Sequence, residues 1–241
     1  MRRRYTIHQM AAAAQVVFAR EPQWYNVLRS LPLGSISTVF DVGANVGIFS
    51  LMARFLHPAA QIIAIEPHAA TFQLLAKNVV GTNIKTLRAA FGNGRQFAYA
   101  GQRRRLSVYV RYMEATDQSD QDTLVPSYPL TEIFRFADHP LLSETFWKLD
   151  VEGAELAYPI RDRRSVTTLC TSAGFVLDVH GSGRRQWRFW RRKLGATHSL
   201  ECWHRRRCCV IAARRQAPTV NVYLWRQSDR TYQEIEHSPS R

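Results

Sequence analysis

The feature that most constrains this chain is the stretch from Val39 to Ser50, where a β-prone apolar run ends in an acid and then turns through glycines. Gly43 and Gly47 permit a left-handed backbone and a close approach by a neighbouring group. The residues that follow have helical spacing, so the N–H groups of a helix N-terminus face the turn. Strand, glycine turn and helix in this order predict a nucleotide-type binding turn at the carboxyl edge of a parallel sheet.

The rest of the chain alternates between strand and helix patterns. We predict strands at 36–42, 61–65 and 84–90, with helices at 44–56 and 69–80 between them. This alternation requires crossover connections and implies a parallel sheet. The later patterns predict a hairpin over 97–113, a short helix over 129–137, strands at 146–150 and 175–179, a basic helix over 186–194, and a closing strand pair at 198–203 and 208–212.

The 241 residues are enough for one α/β domain with a full core. We predict a helical lead-in over 1–35, broken near Pro22, an α/β domain over 36–215 and a polar tail over 216–241. No apolar run reaches the ~20 residues that span a bilayer, and the N-terminal run is too interrupted for a signal peptide. The four cysteines lack a disulfide or zinc spacing, so we expect free thiols and a cytoplasmic location.

The formal charge of +14 is concentrated in the last quarter of the chain. From Arg184 onward there are 14 Lys/Arg and 4 Asp/Glu, which attracts anionic partners of any kind. The segment 184–194 interleaves aromatic and cationic residues. A helix that packs its aromatic face on the sheet is the favoured interpretation, because helical spacing accounts for the aromatics. A surface for RNA or acidic lipid is the alternative.

Three acids stand at the ends of predicted strands: Asp41, Glu66 and Asp150. Glu66 lies 25 residues after Asp41, where a carboxylate can accept hydrogen bonds from a ribose diol. The dinucleotide fingerprint needs glycine where Asn45 and Ile48 stand. An acid before the turn repels a pyrophosphate but suits S-adenosylmethionine, which carries an ammonium, a sulfonium and a ribose diol. The pattern therefore favours S-adenosylmethionine over NAD, with helix capping by these acids as the alternative explanation.

Three blocks, Asp41 to Gly47, Glu66-Pro67 and Lys148 to Glu155, resemble the signature motifs of the FkbM-type methyltransferases, a branch of the class I S-adenosylmethionine-dependent enzymes. The resemblance covers roughly residues 36–212. It implies a Rossmann-like α/β fold with a mostly parallel seven-stranded sheet, helices on both faces and an antiparallel C-terminal strand pair. It further implies O-methylation of a hydroxyl on a natural product or a sugar-like acceptor.

The resemblance also assigns residues. The implied cofactor site consists of Asp41, Gly43, Asn45, Gly47, Glu66, Pro67, Asn93 and Asp150. In it the glycine turn holds the methionine part, Glu66 holds the ribose, and Asp150 lies near the sulfonium and the acceptor. Asn93 stands where many relatives have an acid, at the position of the adenine contact.

Methyl transfer to a hydroxyl needs a base to take the proton. The candidates are Asp150, Glu152, Glu155 and His180. Histidine is the residue type among them that titrates nearest to neutral pH. Three carboxylates within residues 150–155 would permit Mg²⁺, but the ligand set is too open, and we predict no metal site.

The acceptor is open on sequence alone. The first hypothesis is a small hydroxylated acceptor, anionic in view of the charge. A nucleic-acid methyltransferase is the second; the basic C-terminal quarter favours it, and the lack of an Asn/Asp-Pro-Pro-Tyr/Phe block counts against it. The third is a basic binding protein that keeps the fold without turnover.

Overall fold

The structure is a computed structural model that describes residues 22–31, 34–92, 94, 96–104, 107–114, 124–151, 162–180, 183–194, 198–204 and 208–215. The first part of the described chain alternates helix and strand. Its elements are α1 (Pro22–Arg29), β1 (Thr38–Val42), α2 (Ile48–Leu56), β2 (Gln61–Ile65), α3 (Ala69–Asn78) and β3 (Ile84–Leu87). The two predicted crossover units are therefore present.

The second part begins with short and long strands and then returns to alternation. Its elements are β4 (Ala90–Phe91), β5 (Gln96–Arg104), β6 (Ser107–Glu114), β7 (Leu124–Tyr128), α4 (Leu130–Ile133), β8 (Thr145–Leu149), α5 (Arg163–Thr171), β9 (Gly174–His180), α6 (Gly183–Leu194), β10 (His198–His204) and β11 (Cys208–Arg215). Single 3₁₀ turns at Phe134–Phe136 and Leu142–Glu144 connect α4 to β8.

Seven of the described strands form one sheet in the order β10-β11-β9-β8-β1-β2-β3. All neighbours are parallel except that β11 runs antiparallel to both β9 and β10. This confirms the predicted mostly parallel sheet with an antiparallel C-terminal pair. The strand order reverses at β1, which lies between β2 and β8. In open α/β sheets, ligands bind at the carboxyl ends of the strands where the order reverses.

Helices cover both faces of this sheet. Along β1 successive side chains point to opposite faces, so Val39 packs with α1, α2 and α3 while Phe40 packs with α4, α5 and α6. Burial on both faces explains why the central strands are continuous apolar runs and do not alternate with polar residues. The basic helix α6 packs its described apolar residues on the sheet, as the favoured interpretation predicted. Trp190 and Leu194 are buried in the same core as Phe40.

A four-stranded sheet, β4-β7-β5-β6, lies beside the main one. The hairpin predicted over 97–113 is present as the antiparallel pair of β5 and β6. One predicted boundary was wrong here, and one strand was missed. The third strand does not continue to Ala90: it ends at Leu87, and Ala90 pairs with Ser127 in the second sheet. Strand β7 was not predicted, because Pro126 interrupts a short run that pairs across the sheet nonetheless.

Helix α1 begins at Pro22, the residue expected to break a longer helix. Proline is well suited to the first helical position, since it needs no N–H partner there. Trp24, Val27 and Leu28 of this helix are buried in the same core as α2 and α3. Residues 1–21 and the tail over 216–241 lie outside the described residues, and the three-part division of the chain remains a prediction. Within the described residues no helix is long and apolar enough to cross a membrane.

Candidate active site

The turn after β1 is built from left-handed residues. Gly43, Asn45 and Gly47 have φ angles of +78°, +51° and +89°. Helix α2 therefore starts at Ile48, four residues later than the periodicity predicted. The N–H groups of Gly43 and Ala44 both donate to the Ile65 carbonyl at 2.9 Å, which fastens the turn to the end of β2.

Packing also restricts both glycines, Gly43 against backbone and Gly47 against the end of a buried side chain. A Cβ at Gly43 would lie 1.8 Å from the backbone carbonyl oxygen of Asp150, and one at Gly47 would lie 2.6 Å from Leu75 Cδ1. The chain leaving β8 thus crosses directly over the turn. The two glycines of the motif are thus explained by their positive φ angles together with the close approach of neighbouring atoms.

The strand register brings two of the three predicted acids, Glu66 and Asp150, into one row with Gly43. Val42 pairs with Ile65 on one side and with Leu149 on the other, so Gly43, Glu66 and Asp150 each follow a strand end at the same level. Two hydrogen bonds confirm that level, from Glu66 N to the Leu87 carbonyl and from Asp150 N to the Val42 carbonyl. By the same register Arg88 lies next to Glu66. The row lies where the strand order reverses.

Glu66 bridges the two turns of the site. Its Oε2 accepts a hydrogen bond from the Asn45 N–H and its Oε1 from the His68 N–H, both at 2.9 Å. The side chain is largely buried, and burial raises the pKa of this carboxyl against the lowering effect of the two N–H donors. A carboxylate oxygen can accept two hydrogen bonds, so each oxygen of Glu66 retains one acceptor position.

Asp41 lies beneath the turn, away from its open side. Its carboxylate is fully buried; Ser50 Oγ donates to Oδ2 at 2.6 Å, and Lys148 Nζ lies 3.1 Å from Oδ1. The assignment of Asp41 to the cofactor site therefore stays a prediction. A fully buried carboxylate acts on a ligand through the groups that cover it. Asp150, with a side chain 22% exposed, is the acid of this cluster that opens to solvent.

Lys148 is the residue that the sequence expectations left without a role. Its Nζ donates to the Gly43 carbonyl at 2.6 Å, lies 3.7 Å from Asp150 Oδ2, and stands 4.9 Å from the centre of the Trp24 ring. The side chain is 3% exposed. Lysine is almost never buried unless it is paired, so a lysine within the apolar strand 145–149 was the available signal.

The remaining predicted residues divide into two groups. Pro67 is buried and leads into α3, whose N-cap is His68. His180 ends β9, two residues beyond Asp178, which the register places next to Asp150. The structure describes the backbone of His180 and not its side chain. Asn93, Glu152 and Glu155 lie outside the described residues, so their assigned roles remain predictions.

Among the described residues no group of three or more His, Cys, Asp or Glu side chains could hold a metal ion.

Comparison with known proteins supports the family resemblance over one segment. Forty-two residues of the chain are 48% identical to 31-O-demethyl-FK506 methyltransferase FkbM of Streptomyces tacrolimicus. That segment is 17% of this chain and 16% of that protein. The resemblance to FkbM-type methyltransferases is thereby confirmed within the segment. No protein-family model matches the chain.

Among solved structures, the chain is similar to methyltransferase FkbM from Methylobacillus flagellatus KT, with 15% identity and a TM-score of 0.49. The match covers 85% of this chain and 54% of that one, so this chain spans about half the length of that protein. It is also similar to TrmK of M. capricolum in complex with S-adenosyl-homocysteine, with 10% identity and a TM-score of 0.43 over 85% of this chain and 71% of that one. These identities and TM-scores carry no information about substrate.

Proposed function

We propose that this chain is an S-adenosylmethionine-dependent methyltransferase that methylates a hydroxyl oxygen of a small or sugar-like acceptor. The observation that carries the proposal is the Glu66 carboxylate, held by two backbone N–H groups in the same row as the glycine turn and Asp150. A ribose diol needs two acceptor positions on one rigid carboxylate, and Glu66 retains one on each oxygen. The row lies at the strand-order reversal, where ligands of this fold class bind.

The residues divide the cofactor between them. Glu66 would hold the ribose, the backbone of Gly43 to Gly47 would line the methionine part, and Asp150, which lies against Gly43, would face the sulfonium. Asp41, Lys148 and Asp150 together carry two negative charges and one positive, so the cluster presents a net charge of −1 through its exposed member, Asp150. A sulfonium cation is attracted by that charge, and a pyrophosphate is repelled.

The bound cofactor supplies the methyl group, which moves to the acceptor oxygen by in-line displacement at the sulfonium. The chain contributes position, because orienting two reactants can account for much of the rate. It also provides the base. Asp150 is held near Lys148 Nζ and can orient the acceptor hydroxyl, while His180 and Glu152 are the other candidates to take its proton.

A hydroxyl acceptor is supported by two observations. The relative that matches 42 residues of this chain has a name that describes methyl transfer at an O-demethyl position. The sequence contains no Asn/Asp-Pro-Pro-Tyr/Phe block of the kind expected for amino-group methylation of bases. The net charge of +14 suits an anionic acceptor.

Isothermal titration with S-adenosylmethionine and S-adenosylhomocysteine tests the proposal. We expect both to bind at a single site, and Glu66→Ala to weaken both by at least tenfold, since it removes the ribose acceptor. Glu132→Ala, which replaces an exposed glutamate on α4, is the matched control and should bind as the wild type does. Absence of binding at millimolar cofactor, or unchanged affinity in Glu66→Ala, would contradict the proposal.

A second candidate function is methylation of RNA, and the surface of α6 favours it. The helix has no acidic residue, and Arg188, Arg191, Arg192 and Lys193 are exposed on it. In the described part of the chain these four cations have no ion-pair partner. If the acceptor is RNA, the affinity should fall steeply with salt, and replacing these four residues by alanine should flatten that dependence. A flat response in the wild type excludes this candidate.

A further inference from the structure

Lys148 is the fourth of the five residues of β8, in which every other side chain is apolar or a threonine and every residue is buried. Burying an ammonium is costly unless its charge and its N–H groups are satisfied. Here Nζ donates to the Gly43 carbonyl at 2.6 Å and lies 3.1 Å from Asp41 Oδ1 and 3.7 Å from Asp150 Oδ2. One hydrogen bond and two ion pairs thus offset that cost.

These partners come from three separate parts of the candidate site. Asp41 belongs to β1, Gly43 to the turn, and Asp150 to the chain leaving β8. The last two are pressed together, since the Asp150 carbonyl occupies the space that a Cβ of Gly43 would need. The ammonium joins the same two segments through the Gly43 carbonyl and the Asp150 carboxylate, so it fixes their spacing.

Helix α1 covers this cluster. The Trp24 ring centre lies 4.9 Å from Lys148 Nζ, within the range of a cation–π contact. Trp24 is itself buried and packs edge-on against Phe49 of α2, with ring centres 6.2 Å apart. Helix α1 therefore shields the ammonium from water, which strengthens its interactions with the two carboxylates.

We infer that Lys148 is a positioning residue that sets the spacing between the glycine turn and Asp150, and so places the methionine end of the cofactor. This inference rests on the proposed function. The ribose end is held separately, because Glu66 is fixed by the N–H groups of Asn45 and His68. Removal of the ammonium should therefore disturb one end of the ligand and spare the other.

Two probes separate these ends. S-Adenosylhomocysteine carries the amino-acid part, whereas 5′-methylthioadenosine has the same adenine and ribose without it. In Lys148→Met the affinity for S-adenosylhomocysteine should fall at least tenfold, while that for methylthioadenosine changes less than threefold. Lys148→Arg should recover part of the loss, because a guanidinium can still donate to Gly43 O and the carboxylates. Lys85→Met, which breaks the exposed pair with Asp138, is the control and should leave both affinities unchanged.

The outcomes are separable. If the wild type binds both probes but Lys148→Met weakens them equally, or weakens neither, Lys148 supports the fold only and the inference is overturned. If Lys148→Met does not fold, the double variant Asp41→Asn/Lys148→Met also removes the Asp41 charge that the first substitution leaves unpaired. We expect it to show the same selective loss of affinity for S-adenosylhomocysteine. If the wild type binds neither probe, the proposed function fails and this inference fails with it.

Discussion

Replacing Gly43 by alanine should destabilise the protein more than any other glycine substitution in the described β1–α2 region. The new Cβ would lie 1.8 Å from the Asp150 carbonyl oxygen, and real Cβ contacts stay above 3.0 Å. The turn and the chain after β8 would therefore have to separate by about 1.2 Å, a shift that side-chain rotation cannot provide because the clashing atom is backbone.

That shift strains the hydrogen bonds that hold the two segments together. They are Asp150 N to Val42 O and Lys148 Nζ to Gly43 O, at 3.0 and 2.6 Å; the bond from Gly43 N to Ile65 O at 2.9 Å, which fastens the turn to β2, is strained as well. Each neutral bond contributes about 1 kcal/mol and a charged one about 1.5–3 kcal/mol. The left-handed φ adds about 1–2 kcal/mol for any residue with a Cβ. We expect Gly43→Ala to cost about 3–5 kcal/mol in the free energy of unfolding.

Gly81 provides the matched control. Its φ is +79°, nearly that of Gly43, but a Cβ there would meet no atom within 4 Å. Gly81→Ala should therefore cost about 1–2 kcal/mol, the conformational part alone. Urea unfolding of the two variants and the wild type measures both values. Equal destabilisation of Gly43→Ala and Gly81→Ala would refute the close contact between the turn and Asp150.

Three further predictions concern the pH dependence of the site, the core and a helix cap. Burial raises the pKa of the Glu66 carboxyl. As the pH is lowered, the affinity for S-adenosylhomocysteine should therefore begin to fall at a higher pH than it would with an exposed glutamate. Titration calorimetry over a pH series measures this, and Glu66→Gln should remove the pH dependence. The effect of Glu66 on folding has the opposite sign: its stabilising contribution is present below the ordinary glutamate pKa and is lost as pH rises through the raised pKa, which urea unfolding in the same buffers should show. Trp190→Ala should lower the free energy of unfolding in urea by about 3–5 kcal/mol, because the ring is fully buried with its centre 4.9 Å from that of Phe175. Arg191→Ala, at an exposed position of the same helix, should change it by no more than about 0.5 kcal/mol. Similar values for both variants would contradict the packing of α6. Asp162→Ala should cost about 1–2 kcal/mol, since its carboxylate caps α5 by accepting from the N–H groups of Arg164 and Ser165, and an unchanged unfolding midpoint would count against that cap.

Much of the fold could be predicted from local pattern. The order of strands and helices, the parallel core and the closing antiparallel pair follow from periodicity, since each strand is a short apolar run between turn residues. Two of the misplaced boundaries, both next to the site, have local physical causes. Helix α2 starts late because Asn45 and Gly47 adopt positive φ, and β3 stops early because Ala90 pairs in a different sheet.

The site was predicted in part. The row of Gly43, Glu66 and Asp150 follows from strand ends meeting at one edge, which a sequence can indicate. A lysine within an apolar strand indicated that Lys148 needs a partner, but the identity of that partner and the burial of Asp41 depend on the register of β1 against β8, which aligns residues 41 and 148. The cation–π contact with Trp24 depends on where α1 docks, and no local pattern encodes that.

The structure of the protein with S-adenosylhomocysteine bound would test the central claim most directly. We predict that the two ribose hydroxyls each lie within hydrogen-bonding distance of one Glu66 carboxylate oxygen, with the amino-acid end along Gly43 to Gly47 and the sulfur toward Asp150. A ligand bound elsewhere, or a ribose without contact to Glu66, would contradict it.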